Sequence, residues 1–310
     1  MMGQKDNKAK EYFSDNSRFS DICNFLIFDG KSVIKAENIE EQDSTETISF
    51  ANEHGKILSL QKWRDLIKVC KKIKDECYVV IIGIEEQSDI NYAMPVKCGI
   101  YDMINYADQI KKISNEHRKN KEYGESKAEF TSGFLKSDKL LPVITLTVYL
   151  GTEKWDAARS LHEMFDLNDQ ELLSVIPDYR LNLLIPSEID NFSSFKTGVG
   201  KFLKILSVAG DKKKFAQKFT DSNEYRDVDY DTAMMIKEFT KIDISLPEKG
   251  EKLDMCKAVE EWKNDILQEG ISEGGIGMLV SLVEDGLIDE AEAVKRSGLS
   301  ADEFSKYLNK

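Results

Sequence analysis

The sequence predicts an α/β fold with a helical C-terminal extension, on three observations. Residues 78–87 form an unbroken apolar run that ends in polar side chains, which is typical of a strand buried in a sheet. Residues 94–110 carry apolar side chains at helical spacing behind a proline suited to a first helical turn. Roughly the last sixty residues are acidic and mostly helical in pattern. The order predicted before this extension is helix, three strands, helix, strand.

The first elements are predicted from spacing. Residues 9–28 have apolar side chains three and four positions apart, which predicts an amphipathic helix closed by Asp29 and Gly30. Residues 43–50 alternate and are rich in β-branched side chains, which favours a strand. Residues 60–71 fit both a helix and a strand, so periodicity alone leaves both interpretations open.

The later elements follow the same rules. Residues 140–150 and 179–186 are predicted to be strands, and the pattern beyond residue 189 is mostly helical. Two short helices are predicted near 276–285 and 288–296, and a last helix, capped at Gly298 to Ser300, ends near residue 308. The sequence therefore divides into a core over residues 1–245 and an acidic helical tail over residues 246–310.

Composition limits the function. The chain has 310 residues and a formal net charge of −13, so a protein that binds nucleic acid over its whole surface is not expected. Any DNA contact has to come from a local basic patch, and residues 111–121 supply the main one, with Lys111, Lys112, Arg118 and Lys119. The five cysteines include no Cys-x-x-Cys pair, and no stretch is long and apolar enough to cross a bilayer. We expect a cytoplasmic protein that does not contact membranes.

The end of the strand over residues 78–87 is the candidate site. Side chains alternate along a strand, so Glu85 and Gln87 share one face and Glu86 points to the other. A carboxylate at the end of a buried strand has to be paired, hydrogen-bonded or bound to a metal. Asp65, near the start of a neighbouring strand in the strand interpretation of residues 60–71, is positioned to lie opposite Glu85.

Several of these segments resemble a known family. The pattern of Arg64-Asp65-Leu-Ile, of Ile84-Glu85-Glu-Gln87-Ser88 followed by residues 92–101, and of residues 141–151 with Trp155 beyond resembles the recombination-promoting nucleases, or Rpn proteins. These proteins are also described as transposases and belong to the PD-(D/E)XK nuclease superfamily. The resemblance covers roughly residues 8–190. It implies a restriction-endonuclease-like core of helix, three-strand antiparallel meander, helix and strand, and it favours the strand interpretation of residues 60–71.

The resemblance also implies roles for single residues. Asp65 and Glu85 correspond to the two metal-binding acids, for Mg²⁺ or another divalent cation, and Asp21 corresponds to a further acid on the first helix. Gln87 stands where most of the superfamily has lysine, although Rpn proteins commonly carry glutamine there. An amide orients a hydrogen bond but brings no cation to a phosphate. We hypothesise that Lys97 on the next helix supplies that cation.

The function implied by the resemblance is metal-dependent hydrolysis of DNA phosphodiester bonds by an endonuclease, linked to DNA recombination. The alternative is a catalytically weak protein of the same fold that serves as a DNA-binding or oligomeric interaction module. The net negative charge and Gln87 favour the alternative, whereas the presence of both Asp65 and Glu85 favours the enzyme. The tail pattern over residues 290–304 indicates a packing or oligomerisation hairpin rather than a DNA-reading motif, because Asp302 and Glu303 begin its second helix and would repel phosphate.

Overall fold

The computed structural model describes residues 4–41, 45–51, 57–63, 66–71, 80–209, 223–242, 244–284 and 289–308. Over these residues the chain is an α/β fold, as the sequence predicts, and its main sheet is mixed and five-stranded. A search of the described part for a helix long and apolar enough to span a membrane finds none.

The strands fall into one large sheet and two small pairs. In chain order the described strands are β1 (Ile39–Glu41), β2 (Thr45–Ala51), β3 (Ile57–Trp63), β4 (Leu66–Cys70), β5 (Val80–Gln87), β6 (Val143–Tyr149), β7 (Asn182–Leu184), β8 (Val228–Asp229) and β9 (Lys252–Leu253). The large sheet has the order β1-β4-β5-β6-β7, with antiparallel pairs up to β5 and parallel pairs beyond it. β2 pairs with β3, and β8 pairs with β9, both antiparallel.

Helices cover both faces of the sheet. The described α-helices are α1 (Gln4–Ser14), α2 (Asn16–Phe28), α3 (Met94–Asn120), α4 (Lys127–Ser132), α5 (Gln170–Val175), α6 (Gly198–Leu206), α7 (Tyr230–Thr240), α8 (Met255–Glu284), α9 (Glu290–Ser297) and α10 (Ala301–Leu308). α3 connects the parallel strands β5 and β6, as a crossover between parallel neighbours requires.

Alternation along the strands separates two layers of packing. On one face, Ile84, Leu146 and Leu184 join the main core, which they share with residues of α1, α2, α6 and α7. On the other face, the residues next to these in sequence lie toward α3 and Trp155. This face has smaller apolar clusters with polar side chains between them. The sheet is therefore buried on both faces, and Glu85 lies on the face toward α3.

The first predicted helix is two helices. Asp15 has an extended backbone and accepts hydrogen bonds from the amides of Ser17 and Arg18, so it caps α2 and separates it from α1. The predicted end is confirmed: Asp29 and Gly30 both have positive φ. Gly30 is also required sterically, because a Cβ there would lie 2.5 Å from the Cβ of Ser194.

Residues 60–63 lie in β3 and residues 66–70 form β4, so the helix alternative is excluded for those positions. The strand predicted at 179–186 is shorter than expected, since β7 covers only Asn182–Leu184. The separate short helix predicted at 276–285 is wrong. Those residues belong, up to Glu284, to the 30-residue helix α8.

The C-terminal region contributes to two different cores. Met255 and Val259, in the first turns of α8, are buried in the main core, and β9 pairs with β8 across the boundary predicted at residue 245. Farther along, Ile276 of α8 packs with Ala293 and Phe304 of α9 and α10 in a separate cluster. The division into residues 1–245 and 246–310 stays a prediction. The contacts of Met255 and Val259 with the main core, and the pairing of β9 with β8, cross that boundary.

Candidate functional site

Glu85 lies near the carboxyl end of β5, where that strand runs parallel to β6. Its side chain is about 1% exposed, and its neighbour Ile84 packs into the main core on the opposite face. An ionised carboxylate this far from water requires a compensating charge or hydrogen bonds. The sequence pattern explains the position, because the apolar run over residues 80–84 carries the strand into the sheet before the first acid.

Lys97 supplies the compensating charge. Lys97 lies in the first turn of α3, which begins at Met94 and Pro95. Its Nζ lies 2.8 Å from Oε2 of Glu85. The Lys97 side chain is 27% exposed, whereas the Glu85 side chain is covered. The same ammonium lies 5.8 Å from the ring centre of Tyr101, one helical turn farther along. Lys97 and Glu85 are thus a half-buried ion pair at one end of the sheet.

The register of β4 against β5 ends next to the Glu85–Lys97 ion pair. Leu66 pairs with Ile84 in an antiparallel ladder, so the last described residue pair is adjacent in sequence to Asp65 and to Glu85. Asp65 itself lies outside the described residues. The antiparallel relation of the two strands, predicted from the sequence, is confirmed.

Gln87 is the last residue of β5 and is half-buried. It pairs with Tyr149 in the parallel ladder, and its carbonyl oxygen accepts a hydrogen bond of 2.7 Å from the amide of Leu150. Its backbone therefore ties the ends of β5 and β6 together. Its side chain amide can donate and accept hydrogen bonds but carries no charge.

Polar contacts join α3 to β6 at regular intervals. Four residues of helix rise about 6 Å, and two residues of strand rise about 6.6 Å, so a helix antiparallel to a strand can repeat one contact several times. Along this line the partners are Cys98 with Thr147, Asp102 with Thr145, Tyr106 with the amide of Val143, and Gln109 with the backbone of Leu141. We call these contacts the α3–β6 ladder. They fix how far α3 is displaced along β6, and so fix the position of the helix backbone that carries Lys97.

Asp102 is the charged member of the α3–β6 ladder. It is 6% exposed, and its two oxygens each accept a 2.6 Å hydrogen bond, one from the hydroxyl of Thr145 and one from that of Tyr179. Burial, together with the Asp102 charge, raises the pKa of Tyr179 above its usual range, so the phenol remains a donor. The Tyr179 ring fits because residue 99 is glycine: a Cβ there would lie 3.3 Å from the ring.

Cys98 completes the buried surroundings of the ion pair. Its Sγ lies 3.5 Å from Oγ1 of Thr147, and burial raises the pKa of the thiol to about 12. The thiol therefore stays protonated at neutral pH and contributes a weak hydrogen bond rather than a nucleophile or a metal-ligating thiolate.

Lys68, unlike Lys97, is fully buried, and it lies on the other face of the sheet. It donates to Oδ1 of Asn16 at 2.6 Å and to the carbonyl of Ser14, and it lies over the ring of Phe19. Burial lowers the pKa of Lys68. These contacts attach α2 to β4, which is a structural role.

Asp21, predicted as a further acid at the metal site, is buried in contacts with the segment before α6. Its oxygens accept hydrogen bonds from the amides of Lys196 and Thr197 and from the Thr197 hydroxyl, at 2.6 to 3.0 Å. The described contacts of Asp21 are all of this structural kind. Its role as a metal ligand stays a prediction.

The basic residues predicted to contact DNA lie on the second half of α3. Lys111, Lys112, Arg118 and Lys119 are all exposed, and Lys112 is paired with Asp108 at 2.6 Å. They are 14 to 22 residues beyond Lys97, which corresponds to about 21 to 33 Å along a helix. This run therefore lies well away from Lys97 along α3, and its contact with DNA stays a prediction.

No group of three or more His, Cys, Asp or Glu side chains suited to a metal ion is present among the residues that the structure describes. Asp65 is not one of those residues, so the predicted pair of acids is only half represented. What the described chain does provide at this end of β5 is one buried carboxylate, one ammonium, one amide and the backbone carbonyls of the strand.

Comparisons of the chain with protein-family models, with curated proteins and with solved structures gave no match. The candidate site therefore depends on its own geometry and on the resemblance described above.

Sequence reasoning missed Asp102, Tyr179 and the two threonines of β6. Part of the signal was present, because Cys98, Asp102 and Asn105 share one face of the predicted helix and Thr145 alternates with Thr147 along the predicted strand. Tyr179 had no local signal, since it is 77 residues away from Asp102.

Proposed function

We propose that this chain is a magnesium-dependent DNA endonuclease of the Rpn recombination-promoting type, with the fold of restriction endonucleases. The observation that carries the proposal is the Glu85–Lys97 pair at the carboxyl end of β5, with the β4–β5 register ending next to Asp65 in sequence. The order of elements gives further support. α2, the antiparallel strands β1, β4 and β5, the crossover helix α3 and the parallel strand β6 come in an order compatible with the resemblance, with β2 and β3 as a separate pair between β1 and β4.

The residues at this position suit a hard divalent cation. Asp65, Glu85 and the backbone carbonyl of Glu86 would hold it, since Mg²⁺ prefers oxygen ligands and uses one or two carboxylates with several waters. When bound, the ion supplies activation of a water molecule and neutralisation of charge on the scissile phosphate.

The chain's own residues supply the rest of the chemistry. Lys97, whose ammonium pairs with Glu85, would offer that ammonium to the developing phosphate charge, because the Gln87 amide carries no charge. Gln87 orients water or phosphate oxygens through its amide. The α3–β6 ladder holds the helix backbone that carries Lys97, so the ammonium reaches the phosphate on a flexible stem from a defined point of α3.

Plasmid nicking in the presence of Mg²⁺ tests the proposal. The wild type should convert supercoiled plasmid to nicked circles, and Asp65→Ala and Glu85→Gln should each lose at least about a hundredfold in rate, the usual scale for an essential charged group. Glu116→Gln, a change at an exposed acid on α3, is the matched control and should nick at the wild-type rate. Undiminished nicking in both site variants would refute the assignment.

The second candidate is a nuclease-fold DNA-binding or oligomeric interaction module with little catalysis. The net charge of −13 and the neutral Gln87 favour it. DNA binding that is unaffected by Glu85→Gln, together with no turnover by the wild type, would select this function over the enzyme. Homo-oligomerisation would involve the C-terminal helices, where Met278 and Tyr307 are exposed.

A further inference from the structure

The ion pair at the candidate site is unequal in its exposure. The Glu85 side chain is about 1% exposed and Lys97 is 27% exposed, so the carboxylate is fixed inside the protein and the lysine reaches it from the solvent side. Lysine has a flexible four-carbon stem and three donors, so its ammonium can leave one anion for another at little cost. Within the pair, Lys97 is the mobile partner.

We infer that Lys97 is an internal counter-ion that competes with divalent cations for the Glu85 carboxylate. The inference rests on the proposed function, because it concerns the same site. Nζ is 2.8 Å from Oε2, and a magnesium–oxygen contact is only about 2.1 Å, so the two cations would repel strongly if both stayed on this carboxylate. The affinity for the metal is therefore lowered by whatever free energy the ion pair contributes.

The same competition couples metal binding to substrate. A phosphate at the site gives the Lys97 ammonium a second anion, so DNA weakens the hold of Lys97 on Glu85. Since coupling between two ligands is reciprocal, DNA raises the affinity for the cation and the cation raises the affinity for DNA. Lys97 thus keeps the site weak for metal until a phosphate is present.

Calorimetric titration of the full chain with Mn²⁺, without DNA, tests the inference. Lys97→Met should bind Mn²⁺ at least about tenfold more tightly than the wild type, the scale of one charge-assisted hydrogen bond. Lys97→Arg, which keeps the cation, should bind less tightly than Lys97→Met. Lys127→Met removes one exposed lysine charge from α4 and should bind as the wild type does.

The outcomes separate the two proposals. If the wild type binds Mn²⁺ and Lys97→Met binds it equally tightly or more weakly, the competition is overturned and the proposed function stands. No Mn²⁺ binding by either folded protein, with or without a DNA duplex, overturns the metal site and the proposed function with it. If Lys97→Met does not fold, Lys97→Gln is titrated instead, because an amide preserves polarity at this half-exposed position.

Discussion

Asp102 is buried, and its two carboxylate oxygens are each satisfied by one hydroxyl. Tyr179 donates one of these bonds, while the hydroxyl of Tyr106 accepts a bond from the neutral backbone amide of Val143 at 3.0 Å. The two tyrosines therefore allow the same substitution to be compared at a charged and at a neutral partner.

Tyr179→Phe should lower the free energy of unfolding by about 1.5–3 kcal/mol, the range for a hydrogen bond to a charged group. Tyr106→Phe should cost only about 0.5–1.5 kcal/mol, since its partner is neutral. Urea denaturation of both variants measures the difference. Equal costs would mean that Asp102 does not depend on the Tyr179 hydroxyl.

His117 is held by carboxylates on both sides of its ring. Nδ1 lies 3.0 Å from Oε2 of Glu122, and Nε2 lies 2.9 Å from Oδ2 of Asp138. The hydrogen bonds to Glu122 and then to Asp138 raise the pKa of His117 above its ordinary value of 6.5. These contacts link the end of α3 to the segment that follows α4.

Because the pKa is raised in the folded state, the stabilisation is fully present below the unfolded pKa of about 6.5 and is lost as the pH rises through the folded pKa. The difference in unfolding free energy between the wild type and His117→Gln should therefore be largest at acidic pH and shrink in alkaline solution. Urea denaturation over a pH series measures it. Asp138→Asn should reduce the pH dependence, and a difference that is constant with pH would contradict the prediction.

At the scale of elements, non-local pairing decided what periodicity could not. Residues 60–71 fitted two templates, and their described part is strand because β3 pairs with β2 and β4 pairs with β5. In α8 the glycines at 274, 275 and 277 each cost about 1 kcal/mol relative to alanine in a helix. The helix continues because Ile276 is buried against Ala293 and Phe304.

The candidate site was predictable to the extent that it is local. Alternation along β5 separated Glu85 from Glu86, and proline at the start of α3 placed Lys97 in the first turn. The α3–β6 ladder was not predicted, because it depends on how far a helix slides along a strand some forty residues away in the chain. That displacement decides which side chains of the helix meet which side chains of the strand. Spacing within one element does not determine it.

At the scale of the molecule, the distance from Lys97 to the basic half of α3 makes a prediction about DNA length. The two regions are separated by about 21 to 33 Å along the helix. This length corresponds to about six to ten base pairs at 3.4 Å each. If both regions contact one duplex, then only duplexes that extend this far from the scissile bond can use Lys111, Lys112, Arg118 and Lys119.

Replacing these four residues with glutamine should leave binding to a duplex that extends fewer than about six base pairs from the site unchanged. For a duplex that extends about fifteen, binding should weaken and the slope of log affinity against log salt should fall by up to about four, or about one for each cation lost. Fluorescence anisotropy over a salt series measures both. Equal weakening on short and long duplexes would place the basic run elsewhere relative to DNA.

The two cores of the C-terminal region imply two levels of stability. Met255 is fully buried in the main core and Phe304 is fully buried in the cluster with Ile276 and Ala293. Met255→Ala should lower the stability of the whole described fold by about 2–5 kcal/mol, and Phe304→Ala removes about 3–5 kcal/mol of packing from the small cluster alone.

Hydrogen exchange resolved along the full chain distinguishes the two effects. Phe304→Ala should abolish protection in α9 and α10 and leave α3 and α6 at wild-type rates, because cores that share no buried side chains open independently. Met255→Ala should raise exchange in α6 and α7, which share its core. If Phe304→Ala also deprotects α6, the C-terminal helices and the main core are one cooperative unit, and a functional boundary anywhere after residue 245 loses its physical basis.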